Sequence, residues 1–180
     1  KYRFFKTLES YLFKRADAVV TLTKASKNFI EKKFKKPSKK IHVIRTCVDS
    51  NEFNTKTKNV YYNKVSQRLN VGYLGSIDTA YDFNQFLNLI KGLDQRNIEV
   101  HLKVLSNTTN KSVMGYLKKN QLGHLNHQVL FLSRDELSNA IGKFHILGFA
   151  LKKSFPLIAS MPTKIAESLA CGTPIICNNF

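Results

Sequence analysis

Pro162-Thr163-Lys164-Ile165-Ala166-Glu167-Ser168-Leu169-Ala170-Cys171-Gly172-Thr173-Pro174-Ile175-Ile176 reads as a helix running into a strand. Proline suits the first helical position, where the missing N–H has no partner to lose. Ile165, Leu169 and Ala170 recur at helical spacing as an apolar stripe, Gly172 supplies the stop, and the β-branched residues behind Pro174 read as a buried strand. A helix start leaves unpaired N–H groups of partial positive charge, which suit a phosphate. Lys164 adds a full charge in that first turn, and Glu167, one turn on, offers an acceptor-only carboxylate to a pair of sugar hydroxyls. Pro162, Thr163, Lys164 and Glu167 thus outline a place for a nucleotide diphosphate. An ordinary amphipathic helix with one exposed Lys and one exposed Glu accounts for the same spacing.

Upstream of this stretch, strand and helix patterns alternate. Leu69-Asn70-Val71-Gly72-Tyr73-Leu74-Gly75-Ser76 is a strand entering a tight turn, and Phe83, Phe86, Leu87 and Ile90 mark a helix over 83–93. Strands near 98–105, 128–132 and 144–150 follow, with helices around 111–120 and 135–141, and the strand at 174–177 makes five. The alternation predicts an α/β fold, a Rossmann-like parallel sheet with helices on both faces and its ligand edge at the strand C-termini. Gly75 stands at that edge, where the lack of a Cβ lets a phosphate approach the backbone; many turns need a glycine for no such reason. Arg134 either faces a phosphate through its planar fork or caps the helix behind it by pairing with a neighbouring acid. His145 is read as packing or hydrogen bonding.

Residues 1–15 place Phe4, Phe5, Leu8, Leu12 and Phe13 on one face of a helix ringed by Lys and Arg. Such a helix lies on an anionic membrane or, more commonly, turns its apolar side to a core. A strand over 16–22, a helix over 24–34 and a strand over 41–44 follow. The segment 55–67 is polar and lysine-rich, with Val60-Tyr61-Tyr62 as local packing.

The chain has 180 residues, 29 Lys and Arg against 12 Asp and Glu, and a net charge of +17, which favours anionic partners. No apolar run is long enough to cross a bilayer and no signal-peptide pattern opens the sequence, so a cytoplasmic location is expected, with a place at the cytoplasmic membrane face left open. Cys47, Cys171 and Cys177 show no C-x-x-C spacing and are expected to be buried, reduced thiols. The five histidines show no metal-ligand spacing.

The motif Pro-x-Lys-Ile-x-Glu-x-Leu-Ala-x-Gly-x-Pro-x-Ile at 162–176 resembles the donor-nucleotide motif of GT-B glycosyltransferases, in particular the retaining family 4, also called glycosyltransferase group 1. Glu9, Arg15 to Val20, Val43-Ile44, Val48-Asp49 and Phe53 resemble the end of that family's first Rossmann domain and its interdomain crossing, although Arg45, Thr46 and Cys47 replace the usual Pro-Asn-Gly. The resemblance implies residues 1–53 as the end of an N-terminal domain, 54–68 as a surface linker and 69–180 as an incomplete C-terminal nucleotide-sugar domain, the chain being a fragment cut at both ends. It implies donor contacts from Gly75, Ser76, Arg134, Pro162, Thr163, Lys164 and Glu167, with catalytic residues outside this sequence. Ser76 stands where relatives place an Arg, residues 79–82 show no counterpart of the usual Lys, and Ala159 occupies the first position of the family's E-x7-E pair. A subset of relatives shares the Gly-Ser turn and a Ser-x-Pro-x-Lys-x-x-Glu helix.

The implied activity is transfer of a sugar from a nucleotide-diphosphate sugar to a glycan or lipid-linked acceptor, with retention and without a metal or other cofactor. Cell-envelope glycans are the implied products, and this portion alone is expected to be inactive. Peripheral contact with an anionic membrane is a further expectation, and nucleic acid is not an expected partner. The other readings are a non-catalytic nucleotide-binding relative, and a basic module for nucleic acid or anionic membrane.

Overall fold

The structure, a computed structural model, describes residues 2–57, 68–77, 79–154, 157 and 159–178, and divides into two compact units. The expected Val60-Tyr61-Tyr62 packing and most of the 54–68 segment lie outside the described residues.

The smaller unit comprises residues 1–47 with 154–162. It contains α1 (Tyr2–Arg15), β1 (Val19–Thr21), α2 (Lys24–Phe34) and β2 (Ile41–Val43), and the two strands pair in parallel. Thr23 caps α2 by accepting the Ser26 N–H at 3.0 Å, and Lys35 in the left-handed region ends the helix two residues before Pro37. Ile30, Phe34 and Ile41 form the core of this unit, joined by Val19 and by Phe13, whose ring stacks on Phe34 at 4.7 Å. The expectation that α1 turns its apolar side to a core holds for Phe13 alone. No residue of α1 is buried, and Tyr2, Phe4, Phe5, Leu8, Tyr11 and Leu12 are exposed. A two-stranded sheet of three-residue strands offers too little surface to cover a four-turn helix.

The larger unit, residues 48–153 with 163–180, is a five-stranded parallel sheet. Its elements are β3 (Arg68–Leu74), α3 (Phe83–Asp94), β4 (Glu99–Leu105), α4 (Asn110–Lys119), β5 (Asn126–Leu130), α5 (Arg134–Gly142), β6 (Ile146–Phe149), α6 (Thr163–Ala170) and β7 (Ile175–Cys177). The strand order β5-β4-β3-β6-β7 makes it a doubly wound, Rossmann-like α/β unit. Chain direction reverses its progress across the sheet between β3 and β6, the first strand and the fourth. That switch point opens a crevice at the strand C-termini.

Central strands of a parallel sheet are covered on both faces, and successive side chains sort to opposite layers. Tyr73 joins Phe83, Phe86 and Tyr116 in one aromatic layer, while Leu105, Leu147 and the ring of Phe144 pack with Phe53, Ile141 and Cys171 in the other. Two glycines let rings lie against the sheet. A Cβ on Gly72 would sit 2.6 Å from Phe144, and one on Gly148 would sit 2.6 Å from Phe86.

Cys171 is buried as expected, but Cys47 and Cys177 are exposed: the first sits in a loop, the second ends the edge strand β7. His145 precedes β6, and its Nδ1 accepts the Asn70 N–H at 2.9 Å.

Candidate functional site

Helix α6 begins at Thr163, so Pro162 precedes the helix instead of opening it. The buried stripe is not the expected Ile165, Leu169 and Ala170, for Leu169 is 60% exposed. Lys164, Glu167, Ser168 and Cys171, spaced i, i+3, i+4 and i+7, face inward instead. Local hydrogen bonding explains the choice. Ser168 Oγ donates to the Thr173 carbonyl at 2.7 Å and the Thr173 N–H returns to Ser168 O, tying the helix to the turn at Gly172, whose φ of 68° is left-handed. Thr173 Oγ1 then donates to Ile141 O at 2.9 Å, fixing α6 against α5. With Ser168 and Cys171 pinned inward, Lys164 and Glu167 follow on the same face.

Neither charged residue is therefore on an ordinary solvated face: Lys164 is 7% exposed and Glu167 6%. A buried ammonium needs partners. Lys164 Nζ donates to the Leu74 carbonyl at the end of β3 at 2.6 Å, and lies 3.7 Å from the centre of the Tyr81 ring and 5.4 Å from that of Phe149. Burial pushes its pKa down from 10.5 to about 8, and the nearby negative charge of Glu167 opposes the fall. Burial, with a smaller contribution from Glu167, raises the Tyr81 phenol above its usual value.

Gly75 follows β3 with φ of 146°, a conformation open to glycine. Its N–H donates to Leu105 O at 3.2 Å, so that amide does not wait for a phosphate. A Cβ here would stand 2.8 Å from Lys164 Nζ and 3.3 Å from the Tyr81 ring. The glycine makes room for the lysine. Ser76 faces its own turn: its Oγ hydrogen-bonds Thr79 Oγ1, and its carbonyl accepts from Tyr73 Oη at 2.8 Å.

Tyr81, which the sequence patterns did not single out, is held by backbone on both sides. It forms an antiparallel bridge with Leu151; the Asp82 N–H donates to Ala150 O at 2.8 Å and the Lys152 N–H to Ala80 O at 2.9 Å. The bridge ties the segments that leave β3 and β6 across the switch point. Asn178, just past β7, clamps Leu151 through both amide atoms and also reaches Gln85.

Arg134 opens α5, whose start is capped by Glu136 accepting from the Ser133 N–H and Oγ at 2.9 and 2.8 Å. These bonds hold the Glu136 pKa below the usual value. The guanidinium of Arg134 looks elsewhere, to Glu52 at 2.8 Å, to Glu167 at 3.7 Å and over the Phe53 ring at 5.3 Å. Its acids are thus remote in sequence and not the neighbouring ones. Lys164, Glu167, Gly75, Tyr81 and Arg134 form one connected set, while Ala159 is exposed in the smaller unit.

A second feature escaped the sequence reading. Beyond β4 and β5 a cavity of about 440 Å³ is lined by Ser106, Asn107, Thr108, Asn110, Val129 and Phe131. Phe131 is 80% exposed, and the buried Ser106 Oγ has no hydrogen-bond partner among the described residues. Both sit one residue past a strand end, the only signal by which they were findable. Among the described residues no three His, Cys, Asp or Glu side chains stand together as a metal site, and no helix is long and apolar enough to cross a membrane.

No protein-family model and no curated protein matches the chain. Solved structures do. WaaG, a glycosyltransferase involved in lipopolysaccharide biosynthesis, matches with a TM-score of 0.69 at 13% identity, over 98% of this chain and 48% of its own. A glycosyltransferase from Rickettsia africae matches with 0.67 at 16% identity, over 96% and 47%. A variant of S. aureus TarM, solved with fondaparinux, alpha-GlcNAc-glycerol and UDP, matches with 0.59 at 13% identity, over 94% and 32%. The chain spans about a third to a half of the length of these structures. What this chain has in common with them is a fold, the Rossmann-like α/β architecture of GT-B glycosyltransferases, whose C-terminal domain the five-stranded unit resembles.

Proposed function

We propose that this chain carries the donor-binding half of a retaining GT-B glycosyltransferase of family 4, transferring a sugar from a nucleotide diphosphate to a glycan or lipid-linked acceptor of the cell envelope. The observation that carries the reading is the buried pair on α6. Lys164 and Glu167 are desolvated one turn apart at the switch-point edge of a parallel sheet, and Lys164 reaches the turn at Gly75. Burying an ammonium and a carboxylate costs stability, and a structural helix gains nothing from it. A donor site gains a pre-positioned charge.

In this reading the diphosphate lies at the start of α6, where Thr163 and the first-turn N–H groups meet Lys164. Glu167, steadied by Arg134, accepts the ribose hydroxyls. Phe131 and the amide and hydroxyl groups of Ser106 and Asn107 offer the nucleobase a stacking face and polar partners. When the bond from the anomeric carbon to the phosphate oxygen breaks, the electron pair stays with the diphosphate, and Lys164 and the helix start stabilise that charge. Ser76 leaves the turn itself without a cation, so Lys164 takes over from α6 what relatives obtain from the loop. No metal is assigned a role. The cytoplasm, where nucleotide sugars are made, suits such an enzyme, and the basic, aromatic α1 suits an anionic membrane surface.

Calorimetric titration with UDP, GDP and ADP tests the site. One nucleotide binds saturably, and Glu167→Ala weakens it about tenfold, as expected for removing hydrogen bonds to a charged group. Binding of all three unchanged by the substitution rejects the assignment. In the intact protein, a bound nucleotide without turnover on any acceptor supports the non-catalytic reading that Ser76 and Ala159 raise.

A further inference from the structure

We propose that Tyr81 is a positioning residue that holds Lys164 in its charged form, aimed at the donor diphosphate. The inference rests on the reading of Lys164 as the diphosphate's cation, and adds the device that keeps it one. A lysine with 7% exposure has lost most of its water, and water is what ordinarily keeps an ammonium charged. A neutral amine is useless to a diphosphate.

The groups facing the ammonium come from four elements. The end of β3 supplies the Leu74 carbonyl at 2.6 Å, the bridged segment after it the Tyr81 ring at 3.7 Å, β6 the Phe149 ring at 5.4 Å, and α6 itself Glu167. Arg134 of α5 lies 3.7 Å from the Glu167 carboxylate, whose negative charge favours the charged form of the lysine. Of the two rings, Tyr81 is much the closer, and a ring face attracts a desolvated cation more strongly than an exposed one. Its backbone bridge to Leu151 holds it in place, which suits a fixed wall and not a swinging lid. Gly75 flanks the contact: the space its side chain would fill is within 2.8 Å of Nζ and 3.3 Å of the ring, so a side chain there would crowd both. The sequence therefore needs a glycine, an aromatic residue and a lysine at 75, 81 and 164 together.

The test is UDP and inorganic pyrophosphate binding to the full chain between pH 6.5 and 9.5, for wild type, Lys164→Met, Tyr81→Leu, Tyr81→Phe and Tyr81→pentafluorophenylalanine. The fluorinated ring keeps the shape and folding of the site while removing the negative face. Tyr81→Leu and the fluorinated variant are expected to bind both ligands about three- to thirty-fold more weakly near neutral pH, the range of a cation–ring contact. In both, the alkaline loss of affinity moves to lower pH, and Tyr81→Phe restores the wild-type profile. If Lys164→Met abolishes binding but the fluorinated variant matches wild type in affinity and pH profile, Tyr81 does not position the lysine and only this inference falls. If Lys164→Met binds UDP as wild type does, the role of Lys164 falls as well, and with it both proposals.

Discussion

At the scale of the residue, the proposed role of Lys164 predicts that stability and nucleotide affinity move in opposite directions with pH. In the folded chain burial holds its pKa at about 8 against 10.5 for a free side chain. Between those values the unfolded chain keeps a proton that the folded chain has released, so stability rises as pH climbs through the window. The gap corresponds to roughly 3 kcal/mol at 1.36 kcal/mol per pH unit. Urea unfolding of wild type and Lys164→Met at pH 7.5 and 10.5 should therefore show wild type gaining about that much on the variant as the pH rises, within a factor of two. A constant difference between the two proteins would mean that Lys164 is not desolvated. Affinity for UDP at the proposed site is expected to run the other way, because the anion needs the proton that the fold gives up above about pH 8. A residue that costs stability at neutral pH and is nonetheless enclosed by a carbonyl, two rings and a glycine is built for something other than stability.

At the scale of the element, the sheet is positioned by close approaches that glycine permits. Gly148→Ala would place a methyl 2.6 Å from the Phe86 ring, and Gly72→Ala would do the same to Phe144. Neither ring can retreat, for Phe86 is enclosed by Tyr73 and Phe83 and Phe144 by Ile141 and Leu147. Each substitution is expected to cost about 1–3 kcal/mol, the price of overpacking a filled core, read as a lower urea midpoint at unchanged m-value. An effect below 0.5 kcal/mol would mean that the layers are loosely packed. The elements themselves were legible because each carries its own signal: Phe83, Phe86, Leu87 and Ile90 at helical spacing on α3, or the Lys24–Phe34 helix ending before Pro37. The buried face of α6 was not. Hydropathy selects Ile165 and Leu169, whereas the side is decided by Ser168 and Thr173 hydrogen bonds, which local pattern does not express. Lys164 and Glu167 were legible as chemistry from residue type, but their burial was not. Tyr81 was invisible, since its role comes from a bridge to a residue seventy positions away.

At the scale of the whole molecule, the +17 charge favours a partner with many negative groups, distinct from the proposed donor site. The two differ in how they meet salt. A diphosphate bound at Lys164 would meet a side chain that is 7% exposed, where counterions screen little, whereas surface Lys and Arg lose most of their attraction once the screening length shrinks to a few ångströms. Helix α1 is where that surface charge meets apolar area. Five basic residues and one acidic residue fall in the first fifteen, and Tyr2, Phe4, Phe5 and Leu8 stand exposed among them. Sedimentation with vesicles of one-third anionic lipid is therefore expected to fall steeply between 50 and 500 mM salt, and to fall about tenfold further in Phe4→Ser/Phe5→Ser through the lost apolar burial. UDP affinity of the same samples is expected to change no more than a few-fold across that range and not at all with the α1 substitutions. Parallel salt dependence of the two would place the nucleotide on the basic surface and not at α6. Vesicle binding indifferent to Phe4 and Phe5 would reduce α1 to one more patch of the general charge.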